Sequence, residues 1–249
     1  QGGAPSGQTG QSARVIGGRL ELRDAVVRDV TSFAYALAVD SGIAVLRSVV
    51  LSGNASRGAA LGVGNGDVDI EDLVAVGNRN TFDYEGGAVF VLGIGSSRVV
   101  RSTFMCNTAS LGAAVSFRGR TGTLGASASL LVDDSTFESN VGNAVFSPEP
   151  VSVEIRRSRF VGNQSETDGT ALVSGGPLLV SDSTFVANTA VGGGGAMYIR
   201  GTGSRRIVDS TFTCNRTNGR GGAIEDGGIR EVEAAAFALH EHRELRGRS

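Results

Sequence analysis

Apolar and polar residues alternate with period two in short runs, and the runs recur along the whole chain. Seven residues before a recurrent apolar anchor stand Leu20, Ala44, Val68, Ser97, Leu130, Val153, Leu178 and Arg205. Five before it stand Leu22, Leu46, Ile70, Val99, Val132, Ile155, Val180 and Ile207, with a mostly polar column between the two. This alternation predicts a strand with one buried face. The anchor is Phe104, Phe137, Phe160, Phe185 and Phe212 in the clear copies, and Val27, Leu51 and Ala75 in the degenerate ones. Three residues after the anchor comes Asn: Asn54, Asn78, Asn107, Asn140, Asn163, Asn188 and Asn215. A second strand-like run follows, such as "AVFV" from Ala88 and "AMYI" from Ala196, with Gly before most of these alanines.

A unit of roughly 25 residues that tolerates insertions is the mark of a solenoid. Leucine-rich repeats share the period but want Leu at most framework positions, where this chain has Phe, Gly, Ala and Val. The pattern predicts an all-β fold: a right-handed, single-stranded parallel β-helix of about eight coils stacked at about 4.8 Å, hence a rod roughly 40 Å long. It divides the chain into a tail (1–18), a repeat domain (19–230) and a C-terminal segment (231–249). In that segment "EVEAAAFALHEHRELR" has helix-forming composition and is expected to cap the rod as a short helix.

Composition narrows the function classes. Gly supplies 38 of 249 residues, about double the usual share of roughly 7%, as tight turns require. A net charge of −2 leaves no nucleic-acid footprint. No apolar run is long enough for a transmembrane helix, and "QGGAPSGQTGQSAR" has no apolar core of a signal peptide. A monomer without cofactors is expected.

Each column carries a structural and a functional reading. The Asn column is expected to stack as an amide ladder in which Asn takes a left-handed bend. The competing reading is glycosylation, because Asn54, Asn163 and Asn215 open acceptor sequons; an inward amide is inaccessible to it. The Phe column is expected to stack rings through the core. Charges three residues before the anchor (Asp72, Arg101, Asp134, Arg157, Asp182) alternate in sign and suggest an external ion-pair ladder. Asp67, Asp69 and Glu71 face outward on one strand and are Ca²⁺ candidates, unless Arg47 and Arg98 on the adjacent coils neutralise Asp69 and Glu71. Cys106 and Cys214 lie four coils apart, about 19 Å by stacking, and should be free thiols.

His240 and His242, the only histidines, sit in the cap segment, which excludes a Ser-His-Asp triad in the coils. Carboxylate candidates for glycosidase-type chemistry are Asp83 and Glu85 in "RNTFDYEGG", and Asp133 and Asp134 after a long loop. A lyase-type cluster is not apparent, since the chain has no Lys. The outward column of the second strand holds Phe90, Phe146 and Tyr198, an aromatic stripe that is either exposed for binding or covered by inserts.

The F-x-x-N units together with "GGAV" at Gly86, "GGAM" at Gly194 and "GGAI" at Gly222 resemble the repeats of chlamydial polymorphic outer membrane proteins, within the pectin-lyase-like superfamily. The resemblance spans about Arg19 to Gly228. It implies a secreted or surface-displayed passenger-type β-helix with an adhesive role, binding a cell-surface protein or glycan. A carbohydrate-active enzyme on the same fold is the alternative.

Overall fold

The computed structural model is a parallel β-solenoid, and it describes residues 13–82, 85–119, 128–148, 151–201, 203–226, 231–233, 236–238 and 241–242. Three sheets of nine strands run its length. Sheet A runs from Ala13–Val15 to Ile224–Asp226, sheet B from Arg19–Arg23 to Glu231–Glu233, and sheet C from Val26–Arg28 to Ala236–Ala238. Each strand pairs in parallel with its equivalent one coil away. Two-residue strands such as Ala55–Ser56 and Thr189–Ala190 mark the corner after sheet C. There is no helix among the described residues.

The register follows the sequence columns. Val27 lies opposite Leu51, Leu51 opposite Ala75, and Ala75 opposite Phe104. Phe104, Phe137, Phe160, Phe185 and Phe212 then succeed one another in sheet C. All five rings are fully buried, nearly parallel and 4.6–5.0 Å apart between centroids. Leu46, Ile70, Val99, Val132, Ile155, Val180 and Ile207 from sheet B and Leu37, Leu61, Val89, Val115, Val145, Leu172 and Met197 from sheet A share the interior with them.

The chain ends depart from expectation. Ala13–Val15 already pairs with Leu37–Val39, inside the stretch read as tail; residues 1–12 lie outside the described set. The segment expected to be a capping helix supplies strands at Glu231–Glu233, Ala236–Ala238 and Glu241–His242. They pair with the preceding coil, and Phe237 falls opposite Phe212. An exposed ladder of N–H and C=O groups is a strong template for strand addition, and here it overrides helix propensity.

Two left-handed bends per coil set the corners. The residue three before the anchor has φ between 46° at Arg101 and 56° at Asp72, and the residue two after it has φ between 52° at Ala187 and 63° at Gly77. The second bend is therefore made by the residue before the ladder Asn, not by the Asn itself. Cys106 and Cys214 fill that slot as free, exposed thiols with φ 54°. The charges of the first bend form no continuous ladder. Arg101 pairs with Asp72 at 3.1 Å, while Arg157 turns to Asp133 at 2.6 Å.

The ladder asparagines are all fully buried. Asn163 Nδ2 donates to Phe137 O in the coil before (3.0 Å) and to Asn188 Oδ1 in the coil after (2.9 Å). Its Oδ1 accepts from the Asn140 backbone N–H (3.0 Å) and Nδ2 (2.9 Å). Asn78, Asn107, Asn140 and Asn188 repeat the pattern. The three sequon asparagines are thus closed to modification in the folded chain. A second ladder stands two residues before the anchor: Ser102, Ser135, Ser158 and Ser183 each donate Oγ–H to the carbonyl two residues back. Each of those hydroxyl oxygens accepts a backbone N–H from the coil before.

The Gly-Gly-Ala bend places Gly194 at φ 64°, and a Cβ there would lie 2.0 Å from Met197 O. Gly194→Ala meets both a disfavoured backbone region and a fixed carbonyl, so it should cost about 2 kcal/mol or more, read as a lowered midpoint in urea unfolding.

Candidate binding cleft

The first four coils build a cleft of about 530 Å³ beside sheet A, lined by Phe33, Ala34, Tyr35, Arg57, Gly58, Phe82, Glu85, Phe90 and Arg118. That volume lies in the range of small-molecule sites, roughly 300–1,000 Å³. Its outer wall comes from the corner after sheet C. Thr31–Ser32, Ala55–Ser56 and Arg79–Asn80 stack in register there. Phe33 and Arg57 each follow directly on such a strand, and Phe82 follows two residues on. Consecutive coils therefore stack Phe33, Arg57 and Phe82. The Arg57 guanidinium carbon lies 4.8 Å from the Phe33 centroid and 4.7 Å from that of Phe82. Both rings keep much of their surface in solvent, 61% for Phe33 and 50% for Phe82. Among the described residues Arg57 has no carboxylate partner.

The inner wall is fixed by packing. Tyr35 lies flat over Gly62, where a Cβ would sit 2.3 Å from the ring, and it stacks on Phe90 at 6.3 Å with planes 16° apart. Burial, and then the nearby Asp40 carboxylate, raise the Tyr35 hydroxyl above its ordinary pKa of 10.0, so it stays protonated at neutral pH. At the far end Glu85 accepts from Ser116 Oγ at 3.1 Å and is clamped by the Arg118 guanidinium. Arg118 also lies over the Phe146 ring at 5.7 Å.

The residues proposed from sequence fall in different places. Phe90, Phe146 and Tyr198 do share the outward column of sheet A, through Gly62, Ser116 and Val173. They form no exposed stripe: Phe146 is 8% exposed, Phe90 and Tyr198 are half-buried, and Arg200 covers Tyr198 at 4.6 Å. Only Phe90 reaches the cleft. Asp83 lies outside the described residues. Glu85 is in the cleft but committed to Arg118. Asp133 is buried and held by Arg156 (3.2 Å) and Arg157 (2.6 Å), while Asp134 is exposed at a left-handed bend. Glu85 packs against Val115–Gly119 of sheet A, whereas Asp133 ends Ser129–Asp133 of sheet B, so the two do not form one acid/base pair.

Asp69 and Glu71 face outward as expected and are taken up by Arg47, Arg98 and Arg101. The Asp72 and Glu71 carboxylates hold Arg101 above its ordinary value. Asp67 instead accepts from the Gly95 N–H (3.0 Å) and Ser97 Oγ (3.3 Å). No group of acidic, His or Cys side chains able to hold a metal occurs among the described residues. His240 lies outside them, and His242 belongs to the last strand.

Phe33, Arg57 and Phe82 escape a motif search because they stand outside the repeat consensus. Counting three or four residues on from Val30, Asn54 and Asn78 would have placed them together. No known family, characterised protein or solved structure matches the chain. The resemblance to chlamydial outer membrane protein repeats therefore rests on the motifs themselves. No helix of the described residues is long and apolar enough to cross a membrane.

Proposed function

We propose that the chain is a non-catalytic binding rod, secreted or displayed at a cell surface, whose cleft holds a saccharide unit of a glycan. The observation that carries this is the pair of half-exposed rings, Phe33 and Phe82, held open by Arg57 beside a cleft walled by Tyr35 and Phe90. Aromatic faces offer a large apolar surface at low conformational cost, with polar groups at the rim to orient a ligand. The C–H face of a sugar ring matches such a surface. The F-x-x-N and G-G-A motifs support a passenger-type adhesive role. Among the described residues the enzymatic alternative has no comparable feature: Glu85 and Asp133 are each committed to arginines, and Asp134 stands alone at an exposed bend.

Screening the intact chain against immobilised oligosaccharides, neutral and charged, tests the reading. Binding should appear without turnover and fall at least about tenfold in the Phe33→Ala/Phe82→Ala double variant, as hot-spot aromatics do. Glycan binding that survives in the double variant, or cleavage of a polysaccharide, would refute it.

A further inference from the structure

We propose that the buried Arg205–Asp226 ion pair is a latch that makes the last described coil a separately opening unit of the solenoid. That coil holds Ile224–Asp226, Glu231–Glu233 and Ala236–Ala238. Arg205 continues the inward column of sheet B formed by Leu130, Val153 and Leu178. Asp226 follows Ile199 in the inward column of sheet A. The equivalent residues one coil earlier, Leu178 and Ile199, are apolar and belong to the core cluster. A cation and an anion thus stand where the preceding coil has Leu and Ile. Their side chains are each 3% exposed, and the Arg205 guanidinium donates to the Asp226 carboxylate.

The pair weakens this coil boundary relative to an apolar one. Both charges lose their water on closing, and their attraction rarely repays that in full. Opening returns water to both, whereas opening an apolar pair would expose apolar surface. Each coil is held by its neighbours alone, so one weakened boundary lets a coil detach while the rest stays closed. The two partners are not equivalent. Arg205 Nη2 also donates to Arg200 O at 2.8 Å and to Gly201 O, both on its own side of the boundary. It stays anchored when Asp226 leaves. Asp226 then has a fixed cation to return to, so closure finds one register. A strand slipped by one residue would turn Asp226 outward and leave Arg205 buried without its anion. Opening frees the backbone groups of Met197–Ile199, Arg205–Val208 and Thr211–Thr213 that pair with this coil.

Amide hydrogen exchange of the full chain under native conditions tests the latch. In wild type the amides of Ile224–Asp226, Glu231–Glu233 and Ala236–Ala238 should exchange at least about tenfold faster than those of Ser152–Arg156 and Arg159–Val161. Arg205→Leu/Asp226→Ile, which repeats the residues of the coil before, should slow the first group about tenfold or more and leave the second unchanged. Asp226→Asn keeps the shape and removes the anion, and it should speed exchange in the first group only. Equal protection of both groups in wild type, no slowing in the double variant, or an effect of Asp226→Asn that is absent or spreads to both groups, would overturn the latch.

Discussion

Asn163→Ala is expected to lower the stability of the solenoid by roughly 3–6 kcal/mol, since each buried polar group left without a partner costs about 1–3 kcal/mol. The side chain takes part in four hydrogen bonds that tie three coils together: two to Asn140, one to Asn188 and one to Phe137 O. Alanine deletes all four where no solvent reaches. Asn163→Asp separates shape from chemistry. It replaces the donating amide by an acceptor facing Phe137 O and Asn188 Oδ1, both acceptors themselves, and it buries a charge. The Asp variant should therefore be at least as unstable as the Ala variant at neutral pH. Urea unfolding followed by circular dichroism reads both, and an Asp variant near wild-type stability would show that the ladder amide is not the donor described.

Phe160→Ala should cost roughly 3–5 kcal/mol. The Phe160 ring sits 4.6 Å from Phe137 and 4.9 Å from Phe185 and has no exposed surface. Removing it opens a gap between two rigid rings whose backbones are pinned in register by the sheet. Relaxation is limited, so the cavity persists and the upper part of the range applies. Phe160→Leu refills part of the gap and should cost clearly less. A melting temperature unchanged by the Ala substitution would place the Phe column outside the core.

The two sites show why the architecture was legible. A solenoid presents the same environment in every coil, so each structural demand is written many times in a column of the sequence. Inward alternation in sheet B, the Phe rungs and the Asn rungs were all readable, and their register agrees residue by residue. The Ser ladder was equally repetitive, as S-x-F, but a small polar residue gives no hint of burial until its hydroxyl is seen bonding a carbonyl. Arg101 and Asp182 looked like a charge ladder because their column is exposed, whereas its shared property is a left-handed bend. The last coil was hidden because helix propensity is local, while the sheet edge that recruits Glu231–Glu233 is not.

The cleft was the least legible part, for a physical reason. It depends on residues that break the repeat: Phe33, Arg57 and Phe82 come from three coils without a Phe anchor, and Tyr35 needs the missing side chain at Gly62 to lie flat. Carboxylates drew attention as candidate catalysts, yet in space Glu85 and Asp133 each find an arginine first.

The most direct test of this division between repeated scaffold and unrepeated site compares two variants in parallel. The Phe33→Ala/Phe82→Ala double variant should lose glycan binding with a melting shift under about 2 °C, the scale of a surface change in a domain of this size. Asn163→Ala should do the reverse: a large drop in melting temperature, with wild-type affinity retained well below that melt. Binding lost in Asn163→Ala while still folded, or kept in the double variant, would contradict that division.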